Sequence, residues 1–105
     1  MAEDAVNYYV YVATNRYHSR LYTSTARDLR GRMKDHRRVA EQAFGGPEGC
    51  KKLIYFRGTQ YMHQALFIER KLRTTPRQAL IRLINEQNPE WRDLSSEVPV
   101  KSGRR

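Results

Sequence analysis

The sequence predicts a small α/β domain in which three helices flank a short, three-stranded and mainly antiparallel sheet. Three runs rich in β-branched and aromatic residues predict the strands, at residues 8–12, 21–25 and 53–56. Three longer segments carry apolar residues at helical spacing, and the elements follow in the order strand, strand, helix, strand, helix, helix. Because 105 residues suffice for one core and not for two, we expect the helices to pack on a single sheet.

The first two strands are predicted to pair as a hairpin, because residues 15–20 between them supply polar turn chemistry. A loose capping box from Thr25 to Asp28 then predicts the start of the first helix. The stop signal Gly-Gly-Pro at residues 45–47 ends it.

Two polar residues accompany the apolar stripe of the first helix, which consists of Leu29, Met33, Ala40 and Phe44. His36 falls within this stripe, and Arg32 lies one turn earlier beside the same face. Both side chains are therefore expected to point toward the sheet. Burying polar side chains there is unfavourable unless they have a binding partner or a function.

A carboxylate is the unusual feature of the second helix, which is predicted at residues 60–73 with Thr59 as its cap. Glu69 falls in the middle of an apolar stripe formed by Met62, Ala65, Leu66 and Leu72. A buried glutamate must be paired, protonated or bound to a metal. Two interpretations stay open: a structural ion pair, for example with Arg32, or a metal ligand.

The third helix begins at a capping box that runs from Thr75 through Pro76 to Gln78, and it ends at Asn88, before Pro89. Residues 95–105 are polar and basic, so a disordered tail is predicted there. The folded domain is accordingly predicted at residues 1–94.

The charge of the chain predicts a polyanionic partner. The formal net charge is +9, the sequence pI is near 10.1, and seven tyrosines accompany the 20 lysines and arginines. Cations beside aromatic rings suit phosphate contact and base stacking, so DNA is the predicted partner, with RNA as an alternative. No apolar run is long enough to span a membrane, and a cytoplasmic location is expected. Cys50 is the only cysteine; it is either a nucleophile or, as we favour, an inert thiol.

The order of these motifs resembles the GIY-YIG endonuclease superfamily, and especially its small single-domain bacterial members, over about residues 8–94. Residues 8–15 (YYVYVATN) and 21–24 (LYTS) are similar to the two tyrosine motifs of the family. Residues 28–36 match its pattern of Asp-Leu, a catalytic arginine and an acid followed by histidine. The segments Glu69-Arg70-Lys71-Leu72 and Asn88-Pro89-Glu90-Trp91-Arg92-Asp93-Leu94 match its later motifs.

The resemblance implies a metal-dependent endonuclease in which water attacks a phosphodiester bond of DNA. By this resemblance, Tyr11 is the general base for the water, His36 accepts the phenol proton, and Tyr22 supports the nucleophile. Arg32 stabilises charge on the phosphate, and Glu69 holds one divalent cation, Mg²⁺ or Mn²⁺. These roles are physically sensible, because a tyrosine with a pKa near 10 needs positive charge nearby to act as a base.

Two positions depart from the family pattern: Ser24 replaces the glycine of the second motif, and Gly31 stands where the family often has a second arginine. These departures favour a second hypothesis, a noncatalytic nucleic-acid-binding or adaptor domain on the same fold. The candidate nucleic-acid-binding residues are Arg27, Arg30, Lys34, Arg37 and Asn88. For the cations among them, the alternative is a solvated helix face.

Overall fold

The computed structural model describes residues 6–39 and 49–99. Its sheet has three strands, β1 (Tyr8–Thr14), β2 (Leu21–Ala26) and β3 (Lys52–Thr59), in the order β2-β1-β3. Strand β1 is central and pairs antiparallel with both neighbours. The predicted hairpin and the antiparallel sheet are therefore confirmed, and β2 and β3 are the two edge strands.

Three helices complete the domain: α1 (Leu29–Val39), α2 (Met62–Thr74) and α3 (Arg77–Gln87). This composition confirms the predicted α/β fold. Ala40, Phe44 and the predicted stop at residues 45–47 lie outside the described residues. Within the ranges described, no helix has the length and apolar character of a membrane-spanning segment.

Helices cover both faces of the sheet. Successive side chains of the buried strand β1 point alternately to the two faces, so each face carries apolar residues. Tyr9, Tyr11 and Ala13 pack with Leu29 and Met33 of α1 on one face. The opposite face, covered by α2 and α3, is built from a second set: Val10, Val12, Ile54, Tyr55, Ala65, Leu72, Leu80 and Ile84. The two faces of the sheet therefore carry separate hydrophobic clusters.

None of the three predicted helix caps acts as predicted. Thr59 is the last residue of β3, and Tyr61 precedes α2 without a side-chain cap. Asp28 caps α1, since its Oδ1 accepts a hydrogen bond from the Gly31 backbone N–H at 3.1 Å, whereas Thr25 belongs to β2. Thr75 does not cap α3; its hydroxyl donates to the Lys71 carbonyl oxygen at 2.6 Å and so closes the end of α2.

The segment after α3 is part of the fold, and this corrects the prediction of a disordered tail from residue 95. The Leu94 backbone N–H donates to the Leu53 carbonyl at 2.7 Å. Ser95–Glu97 form a short 3-10 helix, and Val98 is buried against the core under α1. Leu94 and Val98 bury apolar side chains in the core, although most residues of the segment are polar. Residues 100–105 lie outside the described part of the chain.

Asn88 holds this segment in place, which corrects its assignment as a nucleic-acid-binding residue. Its side chain is only 2% exposed. The Nδ2 group donates to the carbonyl oxygens of Ile54 at 3.2 Å and Arg92 at 2.9 Å. Its Oδ1 accepts from the Arg92 backbone N–H at 3.0 Å. With these partners, the amide has a structural role and does not face a nucleic acid.

Replacing Asn88 with alanine is expected to lower the free energy of unfolding by about 1–3 kcal/mol, because buried backbone groups lose their partners. Urea unfolding measures this loss, and Gln87→Ala, an exposed position next to it, is the control. The affinity of the folded variant for DNA is expected to stay unchanged. If the variant has native stability and weakened DNA binding, Asn88 contacts the nucleic acid after all.

Candidate active site

Four side chains meet between the sheet and α1, and we call them the tyrosine cluster: Tyr11, Tyr22, Arg32 and His36. The register pairs Tyr11 with Ser24, so the Tyr22 side chain, two residues earlier, projects from the same face of the sheet. Arg32 and His36 lie one turn apart on α1 and reach that face from above. The hairpin and the first helix therefore bring the four residues together.

The Tyr11 hydroxyl is the centre of the tyrosine cluster. It lies 2.9 Å from His36 Nε2, and Arg32 Nη1 donates a hydrogen bond to it at 3.3 Å. The Tyr22 ring lies beside the rings of Tyr11 and His36, and the distances between ring centroids are 6.2 Å and 5.2 Å. This arrangement joins a phenol to one proton acceptor and one permanent cation.

The surroundings set the protonation states of the tyrosine cluster. Burial raises the pKa of Tyr11 above 10.0, and contacts with Arg32 and, more weakly, Ser24 oppose the rise. Burial, and then the Arg32 charge, lower the pKa of His36 below 6.5, while Asp35 acts in the opposite direction. At neutral pH Tyr11 is therefore a phenol and His36 a neutral imidazole.

Access to the tyrosine cluster comes from the side of Tyr22. The Tyr11 side chain is completely buried, whereas Tyr22 on the edge strand is 42% exposed and Arg32 is partly exposed. A substrate or an attacking water therefore meets Tyr22 and Arg32 first.

Glu69 lies on the other side of β2 from the tyrosine cluster. Its Oε1 accepts a hydrogen bond from the Thr25 hydroxyl at 2.5 Å, and its Oε2 lies 3.0 Å from the Arg73 guanidinium. Arg73 also donates to the Thr23 carbonyl oxygen at 2.8 Å, so both residues follow the edge strand. Since Thr23 and Thr25 alternate with Tyr22, their side chains belong to the face covered by α2.

The environment of Glu69 differs from the predicted apolar stripe. Ala65 and Leu72 are buried as expected, but Met62 and Leu66 are more than half exposed. The buried face of α2 is centred on Ala65, Ile68 and Leu72, one position away from the predicted stripe. Glu69 therefore flanks the core with its side chain 20% exposed. Its ion-pair partner is Arg73 and not Arg32.

The comparison with protein families identifies the fold. The sequence model of the GIY-YIG catalytic domain matches residues 7–82, more than half of the chain. The chain belongs to the GIY-YIG family. Searches of curated proteins and of solved structures gave no match.

Membership in the GIY-YIG family gives this chain the general character of a nuclease domain with a nucleic-acid substrate. GIY-YIG nucleases are typically dependent on a divalent metal. Within residues 6–39 and 49–99, no group of three or more histidine, cysteine, aspartate or glutamate side chains is placed to hold a metal ion. The carboxylate predicted to hold a metal is Glu69. A single carboxylate is compatible with Mg²⁺, which keeps several waters and is often held by one or two carboxylates together with substrate phosphates.

The outer face of α1 presents cations beside a surface cavity of about 620 Å³. Arg30, Lys34 and Arg37 line this cavity together with Ser95 and Ser96 of the C-terminal segment. Arg30 donates to the Ser96 carbonyl and Arg37 to the Ser95 hydroxyl, both at 3.4 Å. Arg27 does not line it; its guanidinium lies 5.3 Å from the centre of the Tyr8 ring.

Both departures from the GIY-YIG pattern are accommodated without displacing the tyrosine cluster. Ser24 stands directly across from Tyr11, and its side chain is among the groups that lower the pKa of Tyr11. At Gly31, an added Cβ would lie 2.5 Å from Asp28 Oδ2, so the glycine leaves room for the helix-capping carboxylate. Neither departure blocks the hydroxyl of Tyr11.

Sequence reasoning missed the two partners of Glu69 in this GIY-YIG domain. Arg73 follows Glu69 by four residues, a spacing that favours ion pairs on a helix and that was available as a signal. Thr25 had no such signal, because it lies 44 residues away and its position depends on how α2 crosses the sheet edge.

Proposed function

We propose that this chain is a metal-dependent endonuclease that hydrolyses phosphodiester bonds of DNA, with selectivity for the shape or strandedness of the substrate. The observation that carries the proposal is the Tyr11 hydroxyl held between His36 Nε2 at 2.9 Å and Arg32 Nη1 at 3.3 Å. A neutral imidazole that carries its proton on Nδ1 accepts the phenol proton at Nε2. The lowered pKa of His36 keeps the imidazole in this neutral state at pH 7.

The proposed reaction begins with proton transfer. Tyr11 passes its proton to His36 as it takes one from the attacking water, so it acts as the general base of the reaction. The cation of Arg32 stabilises the phenolate that forms, and the Ser24 side chain adds a smaller contribution in the same direction. Tyr22 borders the path by which the water enters.

Arg32 has a second task in this proposal. Because its Nη1 occupies the Tyr11 hydroxyl, we assign to substrate binding a small shift in which the guanidinium exchanges this hydrogen bond for one to a phosphate oxygen, while its charge stays close enough to stabilise the phenolate. A guanidinium is well suited to this contact, since its planar donors match phosphate geometry. The shift opens the hydroxyl to water and places a positive charge where negative charge develops in the transition state.

Glu69 is the residue that we propose to hold the divalent cation. When bound, such an ion supplies Lewis-acid polarisation of the phosphate and stabilisation of the leaving oxygen. Glu69 and Tyr22 lie on the two sides of β2, the edge strand, so a phosphodiester lying along this edge can approach both. Arg73 and Thr25 fix the carboxylate at the edge.

The proposed DNA contacts are backbone contacts. The outer face of α1 is proposed to bind DNA phosphates through Arg30, Lys34 and Arg37. Phosphate contacts carry no base sequence, so selectivity is expected to follow DNA shape or strandedness. The single cysteine fits a reducing compartment, and we place the activity in the cytoplasm.

A noncatalytic adaptor is the second candidate function, and two observations favour it. Tyr11 is completely buried with its hydroxyl satisfied by Arg32 and His36, which is also how a purely structural tyrosine is held. Glu69 is engaged by Arg73, as a structural ion pair is. Binding of DNA without cleavage is the outcome that this candidate predicts.

Incubation of the native chain with single-stranded, duplex and branched DNA separates the two functions. Each substrate is tested with Mg²⁺, with Mn²⁺ and with EDTA. The endonuclease proposal predicts metal-dependent strand cleavage of at least one substrate and none in EDTA. If every substrate is bound and none is cut with either metal, the adaptor function is correct.

The pH dependence of cleavage is expected to report the lowered pKa of His36. Because the neutral imidazole is the proton acceptor, kcat/KM should hold as pH falls to 6.5 and should decline only below this value. Below pH 6.5 the unfolded chain also takes up a proton before the folded chain does, so stability falls there too. Circular dichroism at each pH shows that the protein is still folded. A decline centred above 6.5 contradicts the assignment of His36.

A further inference from the structure

A groove on the face of the sheet opposite the tyrosine cluster has no role in the proposed reaction. It lies between β3, α2 and α3 and encloses about 790 Å³. Its floor is apolar and is formed by Tyr55, Ile68, Leu72 and Leu83, which belong to the core cluster beneath α2. We call it the α2 groove.

The rim of the α2 groove combines an exposed aromatic ring with cations. Phe67 is 63% exposed, and the ammonium of Lys71 lies 5.8 Å from the centre of its ring. Arg57 reaches the rim from β3, and His63 lies one turn before Phe67 on α2. A single exposed phenylalanine is common on protein surfaces, but this ring borders an apolar groove and lies beside a cation, which is the arrangement of a binding surface.

The polar residues of the rim restrict what the partner is. Among residues 6–39 and 49–99, no aspartate or glutamate lines the groove, whereas Arg57 and Lys71 carry permanent charge and Gln64 and Thr75 offer hydrogen bonds. The groove follows α2 from His63 to Thr75, a distance of about 18 Å at the rise of an α-helix. A long cationic groove with an exposed aromatic ring at its rim suits a flexible polyanion with aromatic bases.

We infer that the α2 groove binds single-stranded nucleic acid, with a base stacked on Phe67 and the neighbouring phosphates held by Lys71 and Arg57. Stacking on an aromatic ring combined with cations along the backbone is how proteins bind single strands without reading sequence. Because the tyrosine cluster lies on the opposite face, the domain holds a second strand segment apart from the one that it cuts. This second site does not depend on the nuclease chemistry.

Fluorescence anisotropy with a short labelled oligothymidylate tests the inference on the full chain. EDTA is present, so neither cleavage nor metal binding affects the signal. Phe67→Ala is expected to raise Kd at least about fivefold, the loss of one stacked base. Lys71→Gln is expected to reduce the slope of log Kobs against log salt by about 0.7, the loss of one phosphate contact.

The β1–β2 turn offers a matched control, because Tyr17 is also exposed and the Arg16 guanidinium lies 5.9 Å from its ring centre. Tyr17→Ala and Arg16→Gln should change Kd and the salt slope less than Phe67→Ala and Lys71→Gln do. Thermal unfolding shows that all four variants are folded, as expected for exposed positions.

Three results would overturn the inference. In the first, Phe67→Ala binds the oligonucleotide as the native chain does. In the second, the turn variants weaken binding as much as the groove variants. In the third, binding of a labelled acidic, apolar peptide requires Phe67 while binding of the oligonucleotide does not, which identifies the groove as a protein-docking site.

Discussion

Replacing Tyr11 with phenylalanine is expected to lower kcat/KM for DNA cleavage by about 10²- to 10⁴-fold, the usual contribution of a general base. The substitution removes one oxygen atom, and with it the acceptor of the Arg32 hydrogen bond and the proton donor to His36. The ring stays in the core between β1 and α1, so the fold is expected to persist. DNA binding should change little, because the proposed phosphate contacts come from Arg32 and the cations of α1 and not from the buried hydroxyl.

Tyr9→Phe is the matched control, since Tyr9 lies two residues earlier on the same face of β1 and is also buried. It packs edge-on against Phe56 and has no place in the proposed reaction. Its cleavage rate should equal that of the native chain. If Tyr22→Phe abolishes cleavage while Tyr11→Phe is active, the exposed tyrosine is the base and the assignment to Tyr11 is wrong.

Replacing Glu69 with glutamine is expected to reduce metal-dependent cleavage by at least about 10²-fold, because the neutral amide is a poor ligand for Mg²⁺. The amide oxygen still accepts the hydrogen bond from Thr25, and the partly exposed pair with Arg73 contributes at most about 1 kcal/mol to stability. Stability and most of the DNA affinity should therefore be retained. Single-turnover cleavage, with affinity measured separately in EDTA, distinguishes the two effects.

Arg73→Gln separates the two interpretations of Glu69. This substitution breaks the ion pair and leaves the carboxylate, so a metal-holding Glu69 should still support cleavage. A structural Glu69 predicts the opposite, because both substitutions destroy the same pair and should have the same effect. Equal loss of activity in Glu69→Gln and Arg73→Gln, with equal loss of stability, contradicts the metal assignment.

The strands and the hairpin were predictable because their signals are local. The β-branched and aromatic run that starts at Tyr8 favours a pleated strand, whatever its partners are. Spacing on α1 likewise predicted that Arg32 and His36 share the face turned to the sheet. The distances from both to Tyr11 depend on the packing of α1, which periodicity does not supply; the catalytic roles of these residues remain predictions.

The position of Glu69 shows where sequence reasoning ended. An apolar residue on a helix is not always buried, and the exposure of Met62 and Leu66 moved the true buried face by one position. Asn88 is a similar case: its match to the family pattern suggested nucleic-acid binding, whereas its partners are backbone groups of Ile54 and Arg92. Both outcomes depend on long-range packing.

Cleavage in ¹⁸O-labelled water tests the central claim most directly, namely that Tyr11 activates a water molecule for attack on the phosphodiester. The native chain is mixed with DNA and Mg²⁺ for a single turnover, and the new strand ends are analysed by mass spectrometry. We predict one ¹⁸O atom in each newly formed terminal phosphate and, at a scissile phosphorothioate of single configuration, inversion at phosphorus. Retention of configuration would show that a protein side chain attacks first and is then released by water, and intact DNA with both Mg²⁺ and Mn²⁺ would show that the domain is not a nuclease.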